Sequence, residues 1–264
     1  MEKINIMKEY YNAMEQERIR AYFQSQYTTN GFEIVSAEAL CRMILPNGVV
    51  IMPESFISRL EYTGEICSLD WFMVDKVCRT LSYMRLKTGR MIPVSVNLSR
   101  RHTHEWDTAQ HLSSIVDAYD LDHSLIEIEI TETNNTDDLL LKEMVESIRS
   151  KGFRIAVDDF GSGYSSLGFI RGITFDTLKL DKSLLSEDCN EDKIQTIIRS
   201  IVKMSKSLGV KTVIEGVENE KQLAFLNCCG ADLLQGDFLS KALPEYEFIN
   251  LLKDQDEMRR AVGL

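Results

Sequence analysis

Eight short runs rich in β-branched residues alternate with longer amphipathic segments along this chain, and that alternation constrains the fold most strongly. The runs are IRAYFQ (19–24), EIVSAEALCRM (33–43), PVSVNLS (93–99), LIEIEIT (125–131), FRIAVDD (153–159), DTLKLD (176–181), KTVIEG (211–216) and ADLLQG (231–236). Helical patterning covers 53–63 with 68–88 as one long stretch, then 106–119, 137–151, 191–208, 219–228 and 245–260. Strands separated by helices pair in parallel beneath those helices. About eight strands in about 250 residues suit a closed (β/α)8 TIM-like barrel of the α/β class, with an open doubly wound sheet second. No G-x-G-x-x-G follows the first strand, which weakens the second option. Only TTNG at 28–31 separates the first two runs, so the first strand is expected to be irregular, an antiparallel hairpin partner. Residues 1–18 read as an N-terminal helix or linker segment, with Ile4, Met7, Tyr11 and Met14 at helical spacing, and 19–260 as the barrel domain.

Composition removes several function classes. The net charge is −11 and no lysine- or arginine-rich run occurs, so long nucleic acid is not an expected partner. No stretch approaches the roughly 18 apolar residues of a membrane span. The charged N-terminus lacks the apolar core of a signal peptide, which makes a cytoplasmic location the default expectation. The six cysteines include no C-x-x-C pair and read as reduced, mostly buried thiols. The four histidines fall between 102 and 123 and read as parts of a solvated loop and helix. His102 and His104 have no nearby cysteine or spaced histidine in the sequence to complete a metal site.

Read with period two, the strands separate into faces. Val94, Val96 and Leu98 oppose Ser95 and Asn97; Ile126, Ile128 and Ile130 oppose Glu127 and Glu129; Leu178 and Leu180 oppose Lys179 and Asp181. In a barrel the apolar set lies under the helices and the polar set points inward. Near the C-terminal ends of seven strands stand Glu38, Asn97, Glu129, Asp158 with Asp159, Lys179, Glu215 and Gln235. Any one of these alone is a strand-end cap; seven in succession mark the rim on which barrels build active sites. Five carboxylates in one cavity cannot all ionise cheaply without cations. An all-oxygen donor set with one amide suits Mg²⁺ or Mn²⁺ better than Zn²⁺. Two such ions about 3.5–4 Å apart would point to phosphoester hydrolysis, provided the strand bends so that Asp158 and Asp159 both reach them.

These residues resemble the EAL domain, a bacterial phosphodiesterase family that opens cyclic di-GMP to linear pGpG. The name-giving tripeptide is Glu38-Ala39-Leu40, followed by Arg42. SVNLS (95–99), EITET (129–133), DDFGSGYSSL (158–167), LKLDKS (178–183), EGVENEKQL (215–223) and QG (235–236) follow in family order over roughly 19–250. The resemblance implies metal ligands at Glu38, Asn97, Glu129, Asp158 and Asp159, with Glu215 as a ligand or general base at the attacking water. It implies a catalytic lysine at Lys179 and a water-holding amide at Gln235. Substrate contacts fall on Arg42 for phosphate, Asp181 near a guanine, and Leu40. Glu132 matches the anchor of the 160–166 loop, which couples the metal site to a homodimer interface in the family. Mg²⁺ or Mn²⁺, two ions, would serve as cofactor, and Ca²⁺ would inhibit. The chain departs from the family at Met43, at Asp237 after Gln235-Gly236, at Ala242 and at Ser25, positions that bear on substrate affinity and rim packing.

Two other readings stay open on the residues alone. A catalytically silent EAL domain would bind cyclic di-GMP or a protein without turnover. A strand-end lysine such as Lys179 also serves Schiff-base aldolases, although the surrounding carboxylates would keep it protonated and poorly nucleophilic.

Overall fold

The computed structural model describes residues 5–105, 107–131, 138–162, 167–185 and 191–261. Its sheet begins with the hairpin expected at TTNG. β1 (Ile19–Thr28) and β2 (Ile34–Ile44) pair antiparallel, with a register shift at Gln26/Tyr27. β2 then starts a parallel series: β4 (Val94–Asn97), β5 (Ile126–Thr131), β6 (Arg154–Phe160), β7 (Thr177–Leu180), β8 (Lys211–Ile214) and β9 (Leu233–Leu234). β9 pairs with β1 through Tyr27 and Leu234, and that antiparallel contact closes an eight-stranded barrel. Two short strands, β3 (Val50–Ile51) on β2 and β10 (Leu243–Pro244) on β1, lie outside the ring.

Helices cover the barrel. α1 (Ile6–Glu15) precedes β1 and is capped by Asn5, whose side chain accepts from Lys8 N–H; its Tyr10 and Ala13 join the core. α2 (Ile57–Thr63) and α3 (Ile66–Thr88) link β2 to β4, and α4 (Thr108–Asp117) links β4 to β5. α5 (Asp138–Ser150), α6 (Leu167–Gly172), α7 (Glu191–Leu208) and α8 (Glu220–Cys229) fill the next four connections, and α9 (Glu245–Ala261) follows β10.

Three expectations need correction. The segment 53–88 is not one helix: Gly64 takes φ +83° and ends α2, because a left-handed C-cap residue turns the chain off the helical path. α6 has six residues, too few to generate a helical period legible in sequence. His102 is not solvated; it is 1% exposed and held between two carboxylates. Among the described residues no helix is long and apolar enough to cross a membrane.

The period-two reading of the strands holds. Val94, Val96, Ile126, Ile128, Ile130, Leu178 and Leu180 are buried beneath the helices. Ser95, Glu127, Glu129, Thr177 and Lys179 are buried as well, on the opposite face, which is the barrel interior. Glu127 survives there by accepting a 2.7 Å hydrogen bond from Thr177 Oγ1.

Candidate active site

Strand register lifts the polar side chains to one level. Asn97 pairs beside Glu129, Glu38 beside Ser95, and Asp158 beside Thr131. Between Val157 and Phe160 the β6–β7 register shifts, and Asp159 adopts φ +58°. The strand therefore bends at the acidic pair, as a bulge requires, and aspartate tolerates that left-handed conformation better than most residues. Both aspartates line the rim cavity, with Asp159 N–H donating to Asp158 Oδ1 at 2.9 Å.

The cavity measures about 720 Å³ and opens at the C-terminal end of the parallel strands. Glu38, Leu40, Arg42, Asn97, Glu129, Asp158, Asp159, Asp181, Glu215 and Gln235 all line it. Lys179 lies beneath, 1% exposed, and its Nζ reaches four carboxylates: Glu129 Oε1 and Glu215 Oε1 at 2.8 Å, Asp158 Oδ1 at 3.1 Å and Glu38 Oε2 at 3.3 Å. Glu132, the expected loop anchor, and residues 163–166 lie outside the described residues.

Amides lock the carboxylates in place. Asn97 Nδ2 donates to Glu129 Oε2 at 3.2 Å and more weakly to Glu38 Oε1 at 3.5 Å. Gln235 Nε2 donates to Glu38 Oε2 at 2.5 Å and to Gln24 Oε1 at 3.1 Å. Gln26 Nε2 donates to Gln235 Oε1 at 2.9 Å and Ser36 Oγ to Gln26 Oε1 at 2.6 Å, so an amide relay fixes Gln235. Gln24 and Gln26 were not legible as site residues, since the hairpin register that sets Gln24 opposite Glu38 depends on the bulge. Arg42 borders the cavity, donates one N–H to Cys41 O at 2.8 Å and sets its guanidinium over the Tyr22 ring, 6.0 Å from the centroid. Asp181 Oδ1 accepts from Ser183 N–H at 2.9 Å. Gly236 meets the backbone of Val217 so closely that a Cβ would lie 2.2 Å from Val217 N, which explains a glycine after Gln235.

Electrostatics show what the cluster lacks. Burial, then Glu38, pushes the Glu129 carboxyl well above its ordinary range. Burial outweighs the Lys179 ammonium and raises Glu215 to about 8, helped by Glu38 and Asp158. Asp159 rises to about 6 through burial, Asp158 and Asp181. Burial alone would lower Lys179, but the carboxylates around it win and hold it charged. Four carboxylates face one ammonium, so the cluster is under-neutralised and retains protons at neutral pH. Glu129 Oε1 and Glu215 Oε1 are enclosed with only short charge contacts to Lys179, off hydrogen-bond geometry. Oxygen donors of Glu38, Glu129 and Asp158 converge within 4.8 Å of one another. Crowded, under-compensated oxygens with no imidazole or thiolate among them fit a hard divalent cation.

The family model for the EAL domain matches residues 7–242. The chain belongs to the EAL domain family. It is 32% identical to the signaling protein YkoW of Bacillus subtilis across 92% of the chain and 30% of that protein. It is 30% identical to the cyclic di-GMP phosphodiesterase PdeR of Escherichia coli across 89% of the chain and 36% of that protein. The chain thus spans about a third of the length of these curated relatives. Among solved structures, the PaMucR phosphodiesterase in complex with c-di-GMP superposes with a TM-score of 0.84 at 26% identity, covering 93% of this EAL domain and 100% of that chain.

Proposed function

We propose that this EAL domain hydrolyses cyclic di-GMP to linear 5′-pGpG with Mg²⁺ or Mn²⁺. The observation that carries the reading is the complete donor set around Lys179: Glu38, Asn97, Glu129, Asp158, Asp159 and Glu215 line one cavity with no member replaced. A silent receptor needs none of this buried, mutually repelling charge, which is costly to fold.

Those six residues would hold the cations, two in number. When bound, they supply Lewis-acid polarisation of the phosphoryl oxygens and lower the pKa of water towards neutrality. Glu215, which borders the cavity, would act there as a ligand or as the base that receives the proton of the attacking water. Lys179, permanently charged, offsets negative charge that builds on the phosphorus centre. Gln235, fixed by Gln24 and Gln26, keeps Glu38 oriented. Arg42 binds a substrate phosphate through its planar fork, Asp181 accepts from the N–H edge of a guanine, and Leu40 gives apolar contact. A homodimer through the 160–166 region and a cytoplasmic location complete the proposal.

The test is incubation with cyclic di-GMP and Mg²⁺ or Mn²⁺, with pGpG as readout and Glu38→Ala as control. Product is expected only from the unaltered chain. Tight binding without product would replace the reading by that of a receptor. Ca²⁺ should bind but suppress turnover, because it prefers larger and looser coordination; turnover in Ca²⁺ equal to that in Mg²⁺ would contradict the two-cation site.

A further inference from the structure

A second convergence of metal-ligating side chains lies outside the carboxylate cluster. Cys67, the second residue of α3, meets His102 and Glu105 from the turn after β4; one donor atom of each lies within 4.8 Å of the other two. Cys67 and His102 are buried, whereas the Glu105 side chain is 37% exposed, so the cluster has an inner wall and an open side.

His102 is oriented for ligation. Its Nε2 lies 3.1 Å from Asp70 Oδ2, and that oxygen also accepts from Ser99 N–H at 2.8 Å. Asp70 is 6% exposed and fixed by α3, so it acts as a rigid carboxylate behind the ring. The other ring nitrogen of His102, Nδ1, lies 2.6 Å from Glu105 Oε2, a hydrogen-bond distance. That separation holds a shared proton; a metal that displaces it needs the partly exposed Glu105 carboxylate to draw back, because two ligands each about 2.0–2.2 Å from zinc stand more than about 3 Å apart. Carboxylate, imidazole and metal in line is the arrangement by which proteins orient a ligating histidine.

We propose that Cys67, His102 and Glu105 form a Zn²⁺ site, with Asp70 positioning His102 and water completing a tetrahedron on the open side. Sulfur, nitrogen and one carboxylate oxygen form a donor set that selects zinc over magnesium. Burial and neighbouring carboxylates push the Cys67 thiol up to about 12, so it is inert as a free thiol and ionises only when a metal displaces its proton. The site would tie the start of α3 to the turn that follows Asn97, joining two segments of the rim.

The experiment uses the full chain saturated with Mg²⁺, titrated with Co²⁺ as a spectroscopic stand-in for zinc. One equivalent should produce a sulfur-to-cobalt charge-transfer band with tetrahedral ligand-field bands, and Zn²⁺ should displace both. Cys67→Ser should abolish the charge-transfer band, whereas Asp158→Asn, which alters only the carboxylate cluster, should keep it. Asp70→Asn should weaken Co²⁺ binding by roughly 10–100-fold without removing the band. No band, or a band unchanged in Cys67→Ser and so arising from another thiol such as Cys228, would overturn the proposal.

Discussion

Replacing Lys179 by methionine keeps the chain length and apolar stem but removes the ammonium on which four carboxylates converge at 2.8–3.3 Å. Removing one partner of a buried ion pair costs about 3–5 kcal/mol, because the charge left behind has no compensation. In a chain of this size each kcal/mol moves Tm by about 2–4 °C, so Lys179→Met should melt on the order of 10 °C lower in EDTA. The sign with pH follows from protonation. Glu129 and Glu215 already titrate above their unfolded values, and loss of Lys179 raises them further. The folded variant then binds more protons than the unfolded chain, so its stability is full at low pH and falls as pH rises through these raised values, which lie above the value of about 8 that Glu215 has beside Lys179. The melting deficit should therefore be larger at pH 9 than at pH 6, and Mg²⁺ should shrink it by supplying the missing positive charge. Differential scanning calorimetry in EDTA and in Mg²⁺ at both pH values reads all of this. A deficit under about 2 °C at pH 9, or one that grows on acidification, would refute the view that Lys179 neutralises this cluster.

Cation binding to the unaltered protein should release more protons at pH 7 than at pH 9, since Glu215 at about 8 must ionise to ligate; calorimetric titration in two buffers of different ionisation enthalpy measures the difference. Gln235→Ala removes the amide that donates to Glu38 Oε2 and should reduce cation affinity or pGpG formation by roughly 10–100-fold. Arg42→Lys exchanges a planar fork for a point charge and should raise KM by about tenfold with kcat nearly unchanged, as steady-state kinetics would show.

Much of the site was legible because β-structure repeats every two residues, so Glu129 and Lys179 could be assigned to the barrel interior from Ile128, Ile130, Leu178 and Leu180 alone. The hairpin could be placed from the shortness of TTNG, and the barrel from the number of strand–helix units. The break at Gly64 and the short helix α6 escaped because each depends on a stretch of about two turns or fewer, below the length at which helical periodicity separates from chance.

What the sequence by itself determined is therefore local: which residues face inward, where strands end, and which donors are oxygen. Tertiary structure decided the rest, because relative heights of side chains on different strands depend on register, and register depends on closure. The bulge at Gln26/Tyr27 sets Gln24 opposite Glu38, and the left-handed turn at Asp159 brings both aspartates to one cavity. Closure of β9 on β1 carries Gln235 to Glu38, 197 residues away in sequence. The meeting of Cys67 with His102 and Glu105 has the same origin: α3 packs on the turn after β4, and no local periodicity records that contact.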